Sequence, residues 1–300
     1  MSEKPLVSVI VLSYNSSATI IETLDSIKKQ NYSNVELVIA DDSSFDDSVN
    51  VCEIWLQTNH DRFESTKVIR NSENLGISAN LNKAIKFTNG VWIKCIAADD
   101  VLLPNCIADN ISYVEENPET KVLFSFVVPF KICKGKIRYL GVRPEESILP
   151  IFNMNAEKQL DRLYVECFPN APSAFIHKSV YDVVSYDERF RNMEDYPFWI
   201  NVVKRGYKLC FCNKMTVLYR YGESLSKSYI QFYNESFMAS KLAFWESVAT
   251  ETAKRHPEVI RQRLIEKKVY EFTIKYLHNK VSFLNRACRY IIRKIYSCLC

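Results

Sequence analysis

Glycine-rich phosphate-binding loops are absent from this chain of 300 residues, which contains only six glycines. No Gly-x-Gly-x-x-Gly follows the first apolar run, and no Gly-Lys-Ser or Gly-Lys-Thr occurs anywhere. Both loops exist to bring backbone N–H groups close to phosphates. Their absence argues against dinucleotide dehydrogenases and P-loop nucleotidases.

Long apolar runs are also missing. No uncharged stretch approaches the roughly 20 residues that a membrane-spanning helix requires, and residues 1–5 lack the apolar core of a secretory signal. The ten cysteines follow neither the spacing of a disulfide framework nor that of a zinc site. We therefore expect a reduced, cytoplasmic protein that is either soluble or attached only peripherally to the inner face of the cell membrane.

A strong charge of either sign is missing as well. The formal net charge is +4, from 39 Lys and Arg against 35 Asp and Glu. That charge is too mild to indicate a nucleic-acid partner. With 47% hydrophobic residues, the chain can form a substantial core, as one large domain or as one domain with an appendage.

The chain does contain a regular alternation of apolar strands, polar loops and amphipathic helices through residue 118. Strands are predicted at 6–12, 35–40, 68–69 and 91–96, with a helix between each pair. Parallel strands need such helical crossovers, so the pattern predicts an α/β fold with a mainly parallel, Rossmann-like sheet. Mixed strands and helices follow to about residue 225, including a basic turn at 131–136 and two strands within 208–219. The remainder is predicted to be helical.

Polar side chains follow each of the four predicted strands. They are Tyr14-Asn15, Asp41-Asp42, Asn74-Leu75-Gly76 and Asp99-Asp100. Ligands bind at the carboxyl edge of such sheets, where a ring, carboxylates and amides around a metal suit a nucleotide diphosphate. The alternative for Asp99 and Asp100 is that they cap the helix that starts near Pro104.

Five motifs in order make residues 5–225 resemble the glycosyltransferase family 2 enzymes, which have the GT-A fold. The five motifs in this order identify the family more specifically than any one of them alone. They are the opening strand and loop at 9–15, an Asp-Asp-Gly-Ser-like element at 39–44, an Asn-x-Gly helix start at 74–84, an Asp-x-Asp-like element at 96–100, and Met193-Glu194-Asp195 with Trp199.

The resemblance implies transfer of a sugar, with inversion, from a nucleotide-diphosphate donor, with a UDP-sugar favoured, to an acceptor hydroxyl. It implies that Asp195 is the catalytic base, that Glu194 binds the acceptor, and that Asp99 holds Mg²⁺ or Mn²⁺. One of Asp41 and Asp42 is expected to face the base, Asp41 by alignment, and the other the loop backbone. The implied donor-binding residues are Ser13, Tyr14, Asn15, Asp41, Asp42, Asn74, Gly76, Asn82, Ala98, Asp99, Asp100 and Arg220.

The motifs also depart from the family pattern. Ala97 replaces the first acid of Asp-x-Asp, so a contact expected to involve the ribose is lost or supplied elsewhere. Ser43 replaces the glycine of the second motif, and Gly222 and Glu223 stand where many relatives carry a histidine. Alternatives remain for further site residues: Tyr14 as a core aromatic, Asn74 and Gly76 as residues that only shape a turn, Glu194 and Asp195 as ordinary helix-start acids, and Arg220 as a side chain that extends from a strand to solvent. Trp199 is expected in the core.

The C-terminal segment is basic and amphipathic. From residue 261 to residue 300, ten Lys and Arg accompany two Glu and no Asp. Such a helix suits an anionic membrane surface, and membrane contact would suit a lipid-linked glycan acceptor, such as an O-antigen or capsule intermediate. Packing against the catalytic domain or a second subunit, as in a homodimer, is the alternative.

We therefore predict a catalytic domain at 1–225, with a nucleotide-sugar half at 1–118 and an acceptor half at 119–225, and a helical extension at 226–300. Two other functions stay open. A nucleotidyltransferase would carry a Gly-rich, basic loop after the first strand, which residues 13–17 lack. A catalytically inactive nucleotide-sugar-binding scaffold would explain the altered metal motif.

Overall fold

Two compact units make up the protein, whose structure is a computed structural model describing residues 4–222 and 231–299. The first unit comprises Met1–Leu160 and Phe168–Tyr221, and the second comprises Asp161–Cys167 and Gly222–Cys300. The domain boundary predicted at residue 225 falls outside the described residues and stays a prediction.

The first unit alternates strands and helices as predicted for its N-terminal part. Its strands are β1 Val7–Ser13, β2 Val35–Asp41, β3 Ser65–Arg70, β4 Trp92–Ala97, β5 Val101–Leu102, β6 Val122–Cys133, β7 Lys136–Tyr139, β8 Phe175–His177 and β9 Leu209–Arg220. Its helices are α1 Ile20–Lys28, α2 Ser48–Asn59, α3 Ile77–Ile85, α4 Cys106–Glu116, α5 Leu149–Phe152, the first half of α6 Ala156–Val165, and α7 Asp195–Lys204.

These strands form one sheet in the order β3-β2-β1-β4-β8-β6-β9-β5, and β7 pairs with the end of β6. Neighbours among β1 to β4 are parallel, as are β6 and β9, whereas β8 is antiparallel to both β4 and β6. Because β8 reverses direction between them, β6 and β9 run the same way as β1 to β4. Their carboxyl ends therefore share one edge of the sheet.

The opposite edge of the sheet holds a buried carboxylate. Glu36 accepts hydrogen bonds from the Ser8 hydroxyl and from the backbone N–H groups of Asn89 and Gly90. Burial raises the pKa of Glu36, but these hydrogen bonds outweigh it and the pKa lies below its ordinary value. One ionised side chain thus joins the starts of β1, β2 and β4.

Three sequence predictions about this unit are wrong. The basic segment 131–136 is mostly strand, because only Lys134 and Gly135, with φ of 51° and 73°, form the turn between β6 and β7. Such a two-residue turn with positive φ at both positions continues the twist of a hairpin. The two strands predicted within 208–219 are one strand, β9. Finally, Asp99 and Asp100 do not cap α4, whose N-cap residue is Asn105.

Among the described residues, the second unit contains the end of α6 and the helices α8 Glu235–Ser247, α9 Ala249–Arg255, α10 Pro257–Leu277 and α11 Phe283–Leu299. Arg263 of α10 is buried and donates hydrogen bonds to the carbonyl of Tyr164 at 2.7 Å and to the hydroxyl of Thr252 at 3.1 Å. This guanidinium holds residues 161–167 within the unit. None of the helices in the described part of the chain is long and apolar enough to cross a bilayer.

Candidate active site

Asp41 closes the loop that follows β2. Its buried carboxylate accepts hydrogen bonds from the Ser13 hydroxyl at 3.2 Å and from the backbone N–H of Ser44 at 2.9 Å. The tight turn places Ser43 at φ 65°, a conformation that glycine adopts without strain. Ser43, which stands where the family motif has a glycine, therefore has a left-handed backbone. The contact of Asp41 with a nucleotide base stays a prediction.

Asp42 points in a different direction, toward the loop before α3. Its carboxylate accepts hydrogen bonds from the backbone N–H groups of Leu75 and Gly76, both at 2.8 Å, and from the Asn71 amide at 2.9 Å. Asn74 in turn donates to the Asp42 carbonyl at 3.3 Å. Asp42 therefore fixes the position of the residues from Asn74 to Gly76.

Gly76 lies directly against Arg191. Its φ is 85°, and a Cβ built on it would lie 2.3 Å from Arg191 Cγ. Arg191 donates a hydrogen bond to the Asn74 side-chain oxygen at 2.6 Å. Glycine is required at this position because both the backbone conformation and the neighbouring arginine exclude a side chain. Sequence reasoning missed Arg191, which joins the loop after β3 to the segment before α7.

An exposed aromatic pair lies beside the loop after β1. Tyr14 is 48% exposed and Phe45 is 84% exposed, with their rings edge to face at 6.3 Å. Asn15, at φ 51°, accepts a hydrogen bond from the backbone N–H of Phe45 at 3.1 Å. The alternative that Tyr14 belongs to the core is wrong. Phe45 was not among the predicted residues, although it directly follows the Asp-Asp-Ser-Ser element.

Asp99 and Asp100 follow β4 and are linked to the end of β9. The backbone N–H of Arg220 donates to the Asp100 carboxylate, and Arg220 Nε donates to the Asp99 carbonyl, each at 2.8 Å. The guanidinium also pairs with Glu22 and lies over the Phe130 ring at 4.7 Å. Arg220 is thus held by protein groups on several sides and positions both acids.

Both carboxylates are destabilised in their charged form. Burial raises the pKa of Asp99, although the N–H of its own backbone and the charge of Arg220 oppose the shift. Burial, followed by the negative charge of Asp99, raises the pKa of Asp100 to about 8. A bound cation would relieve this repulsion.

The described residues contain no group of three or more His, Cys, Asp or Glu side chains arranged to hold a metal ion. Divalent cations in nucleotide sites are commonly held by one or two carboxylates together with substrate phosphates. Asp99 at the sheet edge, with Asp100 behind it, fits that kind of incomplete site. Exposed Ala97 supplies no ligand.

Glu194 and Asp195 lie at the start of α7 and are partly buried. The Asp195 carboxylate accepts a hydrogen bond from the backbone N–H of Tyr196 at 2.7 Å. Burial raises the pKa of Asp195 despite this bond, and burial together with the charge of Asp195 raises the pKa of Glu194 to about 8. A carboxylate with a raised pKa at a helix N-terminus is suited to accepting a proton near neutral pH.

Tyr219 connects the two acid pairs. This half-buried residue of β9 has its pKa raised to about 12, first by burial and then by the charges of Asp100, Asp99 and, more weakly, Asp195. The phenol therefore lies within electrostatic reach of both acid pairs. It was not predicted, because a tyrosine inside a strand has the same pattern as a core residue.

The remaining predicted residues have structural roles. Asn82 donates to the Tyr186 carbonyl and the Glu188 carboxylate, both at 2.9 Å, so its amide positions the segment before α7. Ala98 is buried, and Trp199 lies in the core as expected, at 1% exposure. Glu223, where relatives carry a histidine, lies outside the described residues.

A sequence model described as Glycosyl transferase family 2 matches residues 8–184, more than half of the chain. This chain belongs to glycosyl transferase family 2. It is 26% identical over 215 residues to the UDP-Glc:alpha-D-GlcNAc-diphosphoundecaprenol beta-1,3-glucosyltransferase WfaP of Escherichia coli, covering 72% of this chain and 77% of the relative.

Solved structures of glycosyltransferases show the same fold. S. aureus TarS 1–349 in complex with UDP-GlcNAc has a TM-score of 0.61 at 20% identity, over 94% of this chain and 77% of that one. The mannosyltransferase PcManGT from Pyrobaculum calidifontis, in complex with GDP-Man and Mn²⁺, has a TM-score of 0.56 at 16% identity, over 80% of this chain and 62% of that one. The predictions of a family 2 glycosyltransferase with the GT-A fold are confirmed.

Proposed function

We propose that this family 2 glycosyltransferase transfers a sugar, with inversion, from a UDP-sugar to a hydroxyl group of a lipid-linked glycan in the cytoplasm. The hydrogen bonds from Arg220 to Asp99 and Asp100 carry the proposal, because they join the acid pair after β4 to the end of β9 at the carboxyl edge of the sheet. A direct displacement needs acids that hold the donor phosphates at such an edge and a base on the acceptor side, for which Asp195 is proposed.

In this proposal the donor lies along the carboxyl edge of the sheet. Tyr14 and Phe45 flank the nucleobase, and Asp41 accepts a hydrogen bond from the base or ribose. Asp42, Asn74, Gly76 and Asn82 shape the surrounding loops. The complexes of TarS with UDP-GlcNAc and of PcManGT with GDP-Man support a nucleotide-sugar donor, and UDP is favoured by TarS and by the name of WfaP.

Asp99 would hold Mg²⁺ or Mn²⁺ with the donor phosphates, and such an ion neutralises charge that develops on the leaving diphosphate. The Mn²⁺ in the PcManGT complex supports a divalent ion. Asp100 accepts the Arg220 N–H and keeps the end of β9 against this loop.

The chemical step is carried by Asp195. As the acceptor oxygen forms its bond to the anomeric carbon, Asp195 takes the hydroxyl proton, and the bond from that carbon to the diphosphate oxygen breaks. Attack from the side opposite the leaving group inverts the anomeric centre. Glu194, the neighbouring carboxylate, would hydrogen-bond the acceptor sugar and position its hydroxyl.

A lipid-linked acceptor is supported by two observations. WfaP, by its name, acts on a diphosphoundecaprenol-linked sugar. In this chain, the β6–β7 hairpin rises from the same sheet edge with four cations, Lys131, Lys134, Lys136 and Arg138, and no acid. None of the four forms an ion pair with a described residue, so their charges can attract a diphosphate.

A two-part experiment tests the proposal. Thermal shift against a panel of nucleotide sugars identifies the donor, since a ligand that binds only the folded state raises Tm. Hydrolysis of that donor with Mn²⁺, with Mg²⁺ and with chelator then reports activity. We expect a UDP-sugar to raise Tm and to release UDP only with metal. A Tm rise without hydrolysis or transfer would favour the inactive scaffold. Release of pyrophosphate from a nucleoside triphosphate and a sugar 1-phosphate, with formation of a nucleotide sugar, would favour a nucleotidyltransferase.

A further inference from the structure

Helix α11 is fixed to the second unit by polar and aromatic contacts. Arg289 donates to the Tyr233 hydroxyl at 2.6 Å and lies over the Phe232 ring at 4.1 Å. Asn285 donates to the Lys280 carbonyl at 2.7 Å, and Lys268 lies over the Tyr296 ring at 5.4 Å. Asn285, Arg289 and Tyr296 recur at helical spacing, so they define the face of α11 that packs inward.

The neighbouring face of α11 is apolar and exposed. Leu284, Cys288, Ile291 and Ile295 recur at the same spacing, and the three aliphatic residues are 73%, 55% and 45% exposed. Phe283, at the start of the helix, is 86% exposed. A helix in a globular protein normally turns its apolar stripe to the core. In α11 the stripe is instead largely exposed to solvent.

The charge around this face is strongly positive. Residues 261–300 carry ten Lys and Arg and two Glu, and Glu266 already pairs with Lys241 at 2.8 Å. Arg286, Arg293 and Lys294 are exposed on α11 itself. Two copies placed face to face through this helix would bring like charges together, whereas an anionic surface would attract them.

We propose that α11 is an interfacial anchor that inserts Phe283, Leu284, Ile291 and Ile295 into the headgroup region of an anionic bilayer. Apolar area in the boundary and positive charge near the surface both contribute to such binding. The proposal goes beyond the transfer reaction, since it concerns a surface outside the candidate active site. An enzyme anchored in this way would lie at the same membrane surface as a lipid-linked acceptor.

Vesicle co-sedimentation of the full-length chain tests the anchor. The probes are mixed phosphatidylglycerol–phosphatidylcholine vesicles and pure phosphatidylcholine vesicles. The variant is Leu284→Ser/Ile291→Ser, and the matched control is Ile54→Ser/Val183→Ser, which also removes two exposed aliphatic side chains, at 55% and 46% exposure. Circular dichroism establishes that each is folded, and light scattering reports the oligomeric state without vesicles.

We expect the native chain to sediment with the anionic vesicles and only weakly with the neutral ones. Since binding strength scales with apolar area inserted, the α11 variant should bind at least about tenfold more weakly and the control variant should bind normally. Equal sedimentation of both variants, or none by the native chain, would overturn the proposal. The proposal would also be overturned if the native chain were a dimer and the α11 variant a monomer, because the stripe would then be an interface between copies. Donor hydrolysis without vesicles should be the same in all three proteins, and its absence would count against the proposed function instead.

Discussion

At the scale of single residues, the two acidic positions proposed for chemistry have separable roles. Asp195 is proposed to act on the acceptor and Asp99 on the donor phosphates, so their variants should fail differently. We expect Asp195→Asn to lower the transfer rate about 10²–10⁴-fold, the usual contribution of a general base. Donor affinity by calorimetry should be unchanged, because asparagine keeps the size of the side chain.

Asp99→Ala is the matched comparison. It should weaken donor binding in the presence of Mn²⁺ and have much less effect in chelator, since the carboxylate is proposed to act through the ion. If Asp195→Asn lost donor affinity as severely as Asp99→Ala, the assignment of the base would be wrong.

A further prediction concerns the pH dependence set by Glu194. Its pKa is raised from an ordinary 4.5 to about 8, first by burial and then by Asp195. Asp195→Asn removes the negative charge beside Glu194, so the pKa of Glu194 should fall toward its ordinary value. Titration of the Glu194 carboxyl by NMR in the native protein and in Asp195→Asn measures this difference. An unchanged pKa of Glu194 would show that the two carboxyls do not interact.

The raised pKa of Glu194 also predicts the direction in which the stability of the fold changes with pH. A carboxyl whose pKa is raised on folding binds more protons in the folded than in the unfolded state between the two values. Glu194 therefore costs stability progressively as pH rises from 4.5 to about 8. In urea unfolding, Glu194→Gln should gain stability over the native protein through that interval and differ little below it.

At the scale of elements, the loop before α3 and the segment before α7 are held together by Gly76 and Arg191. We expect Gly76→Ala to destabilise the protein by about 1–3 kcal/mol, from positive φ and from overpacking against Arg191. Donor affinity should fall as well, because the loop that Asp42 positions must shift. Urea unfolding and calorimetry would measure both effects.

A double variant separates the two causes. In Gly76→Ala/Arg191→Ala the Cβ no longer meets Arg191 Cγ, so part of the loss should be recovered, leaving the cost of the backbone conformation. Strict additivity of the two single changes would show that the 2.3 Å approach has no energetic consequence.

The elements also show where sequence reasoning succeeds. The alternation of strands and helices is local, so β1 to β4 and α1 to α4 were predictable from apolar runs and polar loops. The identity of the acid pairs was predictable because they end strands or begin helices. Phe45, Arg191 and Tyr219 were not, since their significance depends on contacts between segments distant in sequence. The sequence did not predict the full length of β6. Lys131 and Ile132 lie on a hairpin whose two sides both face solvent, so no buried face marks the end of the strand.

Glu36 gives the contrasting case of an acid with a structural role at the opposite edge of the sheet. We expect Glu36→Gln to destabilise the protein by about 2 kcal/mol, the scale of hydrogen bonds to a charged group. Because its pKa is lowered on folding, this contribution is present above the unfolded pKa and is lost as pH falls through the folded one. The difference in unfolding free energy between the two proteins should therefore shrink in acid. Donor affinity at neutral pH should not change, and a marked loss would mean that the two edges are coupled.

At the scale of the whole molecule, stability and catalysis use carboxylates in opposite ways. Glu36 is buried with enough donors to keep it ionised, whereas Asp100, Glu194 and Asp195 are buried or half-buried with too few donors, and their pKa values rise. Native proteins retain such destabilised groups where a ligand or a reaction uses them. Asp100, which directly follows β4, places one of these destabilised groups at the carboxyl edge, where the active site is proposed.

The second unit allows a prediction about where the chain can be shortened. A chain ending at residue 281 lacks α11 but retains Arg263, which holds residues 161–167 through the Tyr164 carbonyl. A chain ending at residue 221 loses Arg263 and leaves the buried side chains of Leu163 and Tyr164 without the helices of their unit. We expect the first to keep its Tm within a few degrees and to hydrolyse donor normally. The second should melt at least several degrees lower or aggregate, because each kcal/mol lost shifts Tm by about 2–4 °C in a chain of this size. Equal melting of the two would mean that the second unit contributes nothing to the fold of residues 161–167.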